Sequence, residues 1–191
     1  MNKYINILAT IALSLSLLCI NNYCDADKLS ICSKTRTPSV CNDTLGSPDN
    51  TCDDNDHVCM GLFVNQRAIT ATQSLKQVAE TTSHSHVIDK NIRSLAKECV
   101  GHCKSAKDNL NDCKKYWKKI DKFSKSSLNQ CVTGVGSNLK DCNQDFEDLK
   151  VVEPPLIANA SNYAQDMISI MLAIGNSLNT TKKKWGNYIN T

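Results

Sequence analysis

The clearest helical pattern in the chain lies in residues 88–120, which read IDKNIRSLAKECVGHCKSAKDNLNDCKKYWKKI. Apolar side chains recur there at every third or fourth position, the spacing that places them on one face of an α-helix. They are Ile88, Ile92, Leu95, Cys99, Cys103, Ala106, Leu110, Cys113, Trp117 and Ile120. We therefore expect one long amphipathic helix, whose apolar stripe has to pack against other elements.

Three further segments show the same period. They cover residues 61–83, Val132 to Leu149, and residues 156–179 after the break at Glu153-Pro154-Pro155. No alternation of period two persists anywhere, so strands are not expected. Four amphipathic helices joined by short loops predict an all-α fold, an antiparallel up-and-down four-helix bundle.

The N-terminus has the pattern of a secretory signal peptide. A short positive start precedes an almost uninterrupted apolar run from Tyr4 to Ile20, and small or polar residues follow up to Ala26. The run is shorter than the roughly 20 residues that a membrane-spanning helix needs. We expect residues 1–26 to be removed and the chain to be secreted without further membrane association, the alternative being a retained anchor.

Composition agrees with a folded, secreted protein. The 191 residues include 22 basic and 19 acidic side chains, a net charge of +3, and 41% are apolar. These values exclude a disordered chain and a multi-span membrane protein. Eleven cysteines exceed what a cytosolic enzyme carries, and secretion makes disulfides their expected state.

Nine cysteines follow residue 26, so at least one of them lacks a partner within the mature chain. Cys32 and Cys41 flank a turn-prone stretch, and Cys52 and Cys59 are similarly close. Local bridges at these pairs are expected to staple an N-terminal extension, residues 27–60, with the first bridge holding a hairpin.

A disulfide across the bundle is expected between Cys113 and Cys142. Both lie in apolar stripes, at equal distances from the polar segment Lys125–Asn129. If that segment is the loop of an antiparallel helix pair, the two side chains face each other, and the bridge is worth about 3 kcal/mol. Cys99, Cys103 and Cys131 remain, and Cys103 is expected to be a buried apolar thiol.

Three motifs resemble the plant invertase and pectin methylesterase inhibitor family. They are ICSKTRTPSVC at Ile31–Cys41, LNDCKKY at Leu110–Tyr116 and DCNQDF at Asp141–Phe146, in the family's order. The resemblance covers nearly all of the chain after residue 26. It implies a helical hairpin closed by Cys32 and Cys41, and a bundle domain, here residues 61–191, with a second disulfide between Cys113 and Cys142.

The resemblance implies a protein with no active site of its own, which binds a carbohydrate-active enzyme and blocks its substrate cleft. The sequence agrees, because it contains no Gly-Xaa-Ser-Xaa-Gly elbow, phosphate loop or His-Glu-Xaa-Xaa-His motif. We expect pectin methylesterase of the plant cell wall as the target, bound in the apoplast by a monomer in a 1:1 complex.

Two other functions stay open. Invertase, in the cell wall or the vacuole, is the first, because Asp121-Lys122-Phe123 keeps the Lys-Phe of an element that invertase inhibitors insert into the enzyme cleft. A secreted structural or allergen-like bundle without inhibitory activity is the second.

A basic run at the end of the second helix is the candidate surface for docking a partner. Its lysines are Lys114, Lys115, Lys118, Lys119 and Lys122, interleaved with Tyr116, Trp117 and Phe123. The run fits a patch that binds an acidic rim or a pectin-like polyanion. The alternative is a solvated helix face whose Trp117 and Ile120 belong to the core. Secretion argues against nucleic acid as the partner.

No cofactor or metal is expected. Cys99, His102 and Cys103, with His84 and His86 nearby, offer zinc-ligating atoms, but the spacing matches no zinc motif and secretion favours oxidised sulfur. The acidic loop Asp53-Asp54-Asn55-Asp56 lacks the glycine and distal glutamate of a calcium loop, and is expected to be solvated.

Three sequons are expected to carry N-linked glycans on a secreted chain. They are Asn42-Asp43-Thr44, Asn159-Ala160-Ser161 and Asn179-Thr180-Thr181.

Overall fold

The computed structural model describes residues 27–120, 123 and 125–178. The expected signal peptide, Lys122 and the sequon at Asn179 lie outside the described residues. Within these ranges the protein is all-α, as predicted, and contains no strand. None of the described helices has the length and apolarity needed to cross a membrane.

Five helices follow a short helical stretch at residues 27–32. They are α1 (Pro38–Leu45), α2 (His57–His84), α3 (Lys90–Lys118), α4 (Lys125–Asp148) and α5 (Pro155–Ser177). Helices α2 and α4 each pack against both α3 and α5. Because short connections join successive long helices, their direction alternates, and the predicted up-and-down four-helix bundle is confirmed.

Local chemistry sets where the long helices begin. Helix α2 begins at His57 rather than at residue 61, because the Asp56 carboxylate accepts a hydrogen bond from the Cys59 N–H at 2.9 Å. Asp89 caps α3 in the same way, accepting from the Asn91 N–H at 2.7 Å. Such a cap stabilises a helix by about 1 kcal/mol.

The core lies mainly between the four long helices and is formed largely by the predicted apolar stripes. Residues of the extension, among them Ile31 and Leu45, join it, whereas Leu149 at the end of the third predicted segment is exposed. The fully buried side chains of the core include Leu75, Leu110, Trp117, Phe146 and Met167. Burial of each such side chain stabilises the fold by about 1.5–3 kcal/mol.

The N-terminal extension packs against α5 through a polar clamp. The Arg36 guanidinium donates to Gln165 Oε1 at 2.6 Å and to Asn162 Oδ1 at 2.7 Å. Next to it, the Thr37 hydroxyl donates to Asp166 Oδ1 at 2.9 Å. These hydrogen bonds join residues that are far apart in the sequence, and they fix the extension to the bundle.

Four disulfides staple the described chain. Two are local and join the pairs for which sequence spacing indicated a bridge, Cys32–Cys41 and Cys52–Cys59. The other two join α3 to α4. They are Cys99–Cys142, with Cα atoms 4.5 Å apart, and Cys113–Cys131, with Cα atoms 5.7 Å apart.

The predicted pairing of Cys113 with Cys142 is therefore wrong. It assumed that Lys125–Asn129 is the loop, whereas that segment is the first turn of α4, and the chain reverses between Lys118 and Lys125. Residues equidistant from about position 121 face each other across this reversal. That register brings Cys113 to Cys131 and Cys99 to Cys142.

Candidate functional site

Two of the three aromatic residues of the basic run, Trp117 and Tyr116, pack in or against the core, whereas Phe123 is exposed. The Trp117 side chain is fully buried and packs directly on Gly61 of α2. Tyr116 is half-buried and meets the Phe123 ring edge to face, with centroids 4.7 Å apart. Ile120 also packs against the core. These contacts agree with the alternative interpretation of the run, in which Trp117 and Ile120 belong to the core.

The lysines of the basic run do not share one surface. Lys114 and Lys118 line the groove between α2 and α3, and Lys114 Nζ lies 3.4 Å from Gln66 Oε1. Lys115 is held within its own helix by Asp112, with Nζ 2.7 Å from Oδ1. This hydrogen bond raises the pKa of Lys115. Lys119 is exposed at the C-cap of α3.

The groove between α2 and α3 opens again further along the two helices, away from this run. This far part is an open depression of about 600 Å³ between Lys76 on α2 and Lys104 and Lys107 on α3, and Glu80 and Asp108 also line it. These three lysines lie outside the basic run that the sequence indicated. Lys104, Lys107, Lys114 and Lys118 follow one another at steps of 3, 7 and 4, a helical spacing that could have identified them.

One close ion pair lies in the far part of the groove. Lys76 Nζ is 2.6 Å from Glu80 Oε1 on the same helix. The hydrogen bond from Lys76 lowers the pKa of Glu80. Both groups are exposed enough for water to screen the pair, so it adds little to stability.

The residues weighed as zinc ligands have other partners. Cys99 is bonded to Cys142, and His102 Nε2 lies 3.0 Å from Asp145 Oδ2 on α4. Cys103 is the one cysteine of the described part of the chain outside a disulfide, and burial raises the pKa of its thiol to about 12. Within that part, no three His, Cys, Asp or Glu side chains converge on a point where a metal ion could bind.

The acidic loop before α2 also has structural partners. Asp54 pairs with Lys28 at 2.5 Å, which ties the start of the extension to the loop. Asp56 is the cap of α2. At least two of the three loop carboxylates thus hold the extension and α2 in place.

Two sequons lie on described helices, each with its asparagine exposed. Asn42 is on α1 and Asn159 on α5. The hydroxyls of both sequons point inward, Thr44 to the Val40 carbonyl at 2.7 Å and Ser161 to Asn143. The exposed asparagines leave room for a glycan on the folded protein.

Comparison with known proteins gives consistent matches. A family model described as plant invertase/pectin methylesterase inhibitor matches residues 29–174. The chain is 24% identical over 153 residues to pectinesterase inhibitor 2 from Arabidopsis thaliana, covering 80% of this chain and 84% of the relative.

Two solved structures share the fold. The chain matches a mutant form of a pectin methylesterase inhibitor from Arabidopsis with a TM-score of 0.68 at 20% identity, covering 80% of this chain and 97% of the other. It matches another pectin methylesterase inhibitor from Arabidopsis thaliana with a TM-score of 0.57, also at 20% identity, covering 81% and 97%.

Proposed function

Since the chain belongs to the plant invertase/pectin methylesterase inhibitor family, we propose that it is a secreted, non-catalytic inhibitor of pectin methylesterase. The names of its relatives carry this choice, because the matched curated protein and both matched structures are inhibitors of pectin methylesterase. The inhibitor acts by docking over the substrate cleft of the enzyme.

The rigidity of the bundle supports an inhibitory role. Two disulfides join α3 to α4, and the Arg36 clamp fixes the extension on α5. A preorganised surface loses little conformational entropy when it binds, so more of its contact energy contributes to affinity.

The disulfides also support secretion. Eight of the nine cysteines after residue 26 are bonded in pairs, and the ninth is the buried Cys103. Disulfides persist in oxidising compartments and are rare in the cytosol. We place the protein in the apoplast, with removal of residues 1–26 and glycans at Asn42, Asn159 and Asn179.

The docking surface that we propose consists of Lys114, Lys118 and Lys119, the lysines of the basic run that form no ion pair with a described residue, unlike Lys115. It adjoins the apolar wall of the groove formed by Leu62 and Phe63. Cations around an apolar patch suit an acidic rim on a partner, because complementary charge steers association.

The experiment that tests the function compares two enzymes. The recombinant protein is titrated into pectin methylesterase and into invertase, and release of methanol from pectin and hydrolysis of sucrose are measured. We expect saturable 1:1 inhibition of pectin methylesterase and no effect on invertase. Protein that has been reduced and unfolded serves as the control and should not inhibit.

Invertase is the second candidate, and one observation favours it. Phe123 of the Lys-Phe element is 39% exposed at the end of the bundle, where another protein can reach it. Inhibition of invertase alone would overturn the choice of target. Inhibition of neither enzyme would favour a structural bundle.

A further inference from the structure

The groove between α2 and α3 has a row of cations along it. We name Lys76, Lys104, Lys107, Lys114 and Lys118 the lysine groove. Between Lys104 and Lys118 the helix rises by about 21 Å, at 1.5 Å per residue. The row is therefore long enough to contact an extended polymer rather than a single small anion.

Four of these five lysines have no close ion-pair partner among the described residues, and of these four Lys104 is also attracted by the Glu80 carboxylate. In the described ranges of the chain, no carboxylate lies within ion-pair distance of Lys104, Lys107, Lys114 or Lys118. Three acidic side chains also line the groove. They are Glu80, which binds Lys76; Asp108; and Asp56, which caps α2. Five lysines against three carboxylates leave the groove net positive.

The α2 wall of the groove carries amides next to the lysines. Gln66, Gln73 and Gln77 follow one another at steps of 7 and 4 and line it. A carboxamide both donates and accepts hydrogen bonds, so it can donate to a sugar hydroxyl or accept a hydrogen bond from one. Cations and amides together match a polymer that presents a carboxylate and hydroxyls on each unit.

We propose that the lysine groove binds a linear polyuronate, the form of pectin in which the galacturonate units carry free carboxylates. The choice of this polymer rests on the proposed function. Hydrolysis of a pectin methyl ester releases methanol and leaves a carboxylate on the polymer, so the polymer gains negative charge where the enzyme has worked. Binding holds the inhibitor on those stretches, since several individually weak ion pairs form on one chain.

The test measures binding of the recombinant chain alone to polygalacturonate, by calorimetry at low ionic strength. The triple variant Lys104→Gln/Lys107→Gln/Lys114→Gln should bind about tenfold more weakly. The matched triple Lys34→Gln/Lys90→Gln/Lys140→Gln removes the same charge from exposed positions outside the groove. It should leave the affinity unchanged. A variant with arginine at the three groove positions should retain binding. That result would show that the glutamine triple binds weakly because it has lost positive charge.

Three results would overturn the proposal. The control triple could weaken binding as much as the groove triple, fully methyl-esterified pectin could bind as tightly as polygalacturonate, or double-stranded DNA could bind as tightly. The measurement uses no enzyme, so the two proposals fail separately. Polymer binding without inhibition contradicts the proposed function, and inhibition without polymer binding contradicts the lysine groove.

Discussion

At the scale of single residues, Gly61 decides how closely α2 approaches α3. A Cβ atom at this position would lie 2.3 Å from the ring of Trp117, whose side chain is fully buried. The ring has no room to retreat, because protein interiors are close-packed. Glycine is therefore required here by contact and not by backbone conformation.

We predict that Gly61→Ala destabilises the protein by about 1–3 kcal/mol through overpacking. The matched control is Gly101→Ala on α3, where the new methyl group meets nothing within 4 Å. That change should stabilise the helix by about 0.5–1 kcal/mol. Urea unfolding measures both. Equal stability of the two variants would contradict the packing described for Trp117.

The buried thiol gives a second prediction at this scale. Because burial raises the pKa of Cys103 to about 12, about one molecule in 10⁴ carries the reactive thiolate at pH 8. We expect iodoacetamide to leave native protein of residues 27–191 unmodified and to label one cysteine of it in denaturant without reductant. Peptide mapping should locate the label at Cys103. Rapid labelling of the native protein would contradict this.

At the scale of elements, the register of α3 against α4 is fixed by their two disulfides. The loops closed by Cys113–Cys131 and Cys99–Cys142 span 18 and 43 residues. Loop-closure entropy makes them worth about 3 and 4 kcal/mol. We predict that non-reducing peptide mapping recovers these two pairs and no peptide joining Cys113 to Cys142. A Cys113–Cys142 peptide would contradict the register of the helix pair.

The connection between α4 and α5 gives a pH prediction. Burial raises the pKa of Glu153, and its hydrogen bond from Asn143 at 3.2 Å offsets this only in part. A carboxyl whose folded pKa is raised favours the native state when protonated, so its contribution to stability falls as pH rises through the unfolded and then the folded pKa.

We therefore predict that Glu153→Gln raises the melting temperature at pH 7 and has no such effect at pH 4. Thermal unfolding at the two pH values measures the difference. Asp108→Asn, which removes an exposed carboxylate on α3 that does not act on Glu153, is the control and should change the melting temperature little at either pH. An equal gain from Glu153→Gln at both pH values would contradict the role of its charge.

At the scale of the whole molecule, the exposed end of the basic run is the proposed docking surface. We predict that Lys118→Glu/Lys119→Glu weakens inhibition of pectin methylesterase about tenfold and reduces its dependence on salt. Lys34→Glu/Lys140→Glu makes the same charge change elsewhere and should leave inhibition intact. Inhibition assays at two ionic strengths measure both. Unchanged inhibition by Lys118→Glu/Lys119→Glu would contradict the proposal that these lysines belong to the docking surface.

Periodicity was sufficient to predict the long helices and their bundle. The apolar residues from Leu95 to Trp117 lie on one helix. Apolar residues spaced three or four positions apart form a single face that can be buried when the chain is helical. The candidate surface was predicted less well. Lys114 and Lys115 are adjacent in the sequence, which assigns them to one charged surface. In the structure Lys114 lines a groove, whereas Lys115 pairs with Asp112.

The sequence by itself determined the all-α class, the four long helices and the two local disulfides, because each depends on residues close together in the chain. Only the tertiary structure decided which cysteines pair across α3 and α4 and which lysines share a groove. The reason is register. A loop displaced by a few residues changes every facing pair along two antiparallel helices, and the polar residues of Lys125–Asn129 suit a loop and a first helical turn equally well.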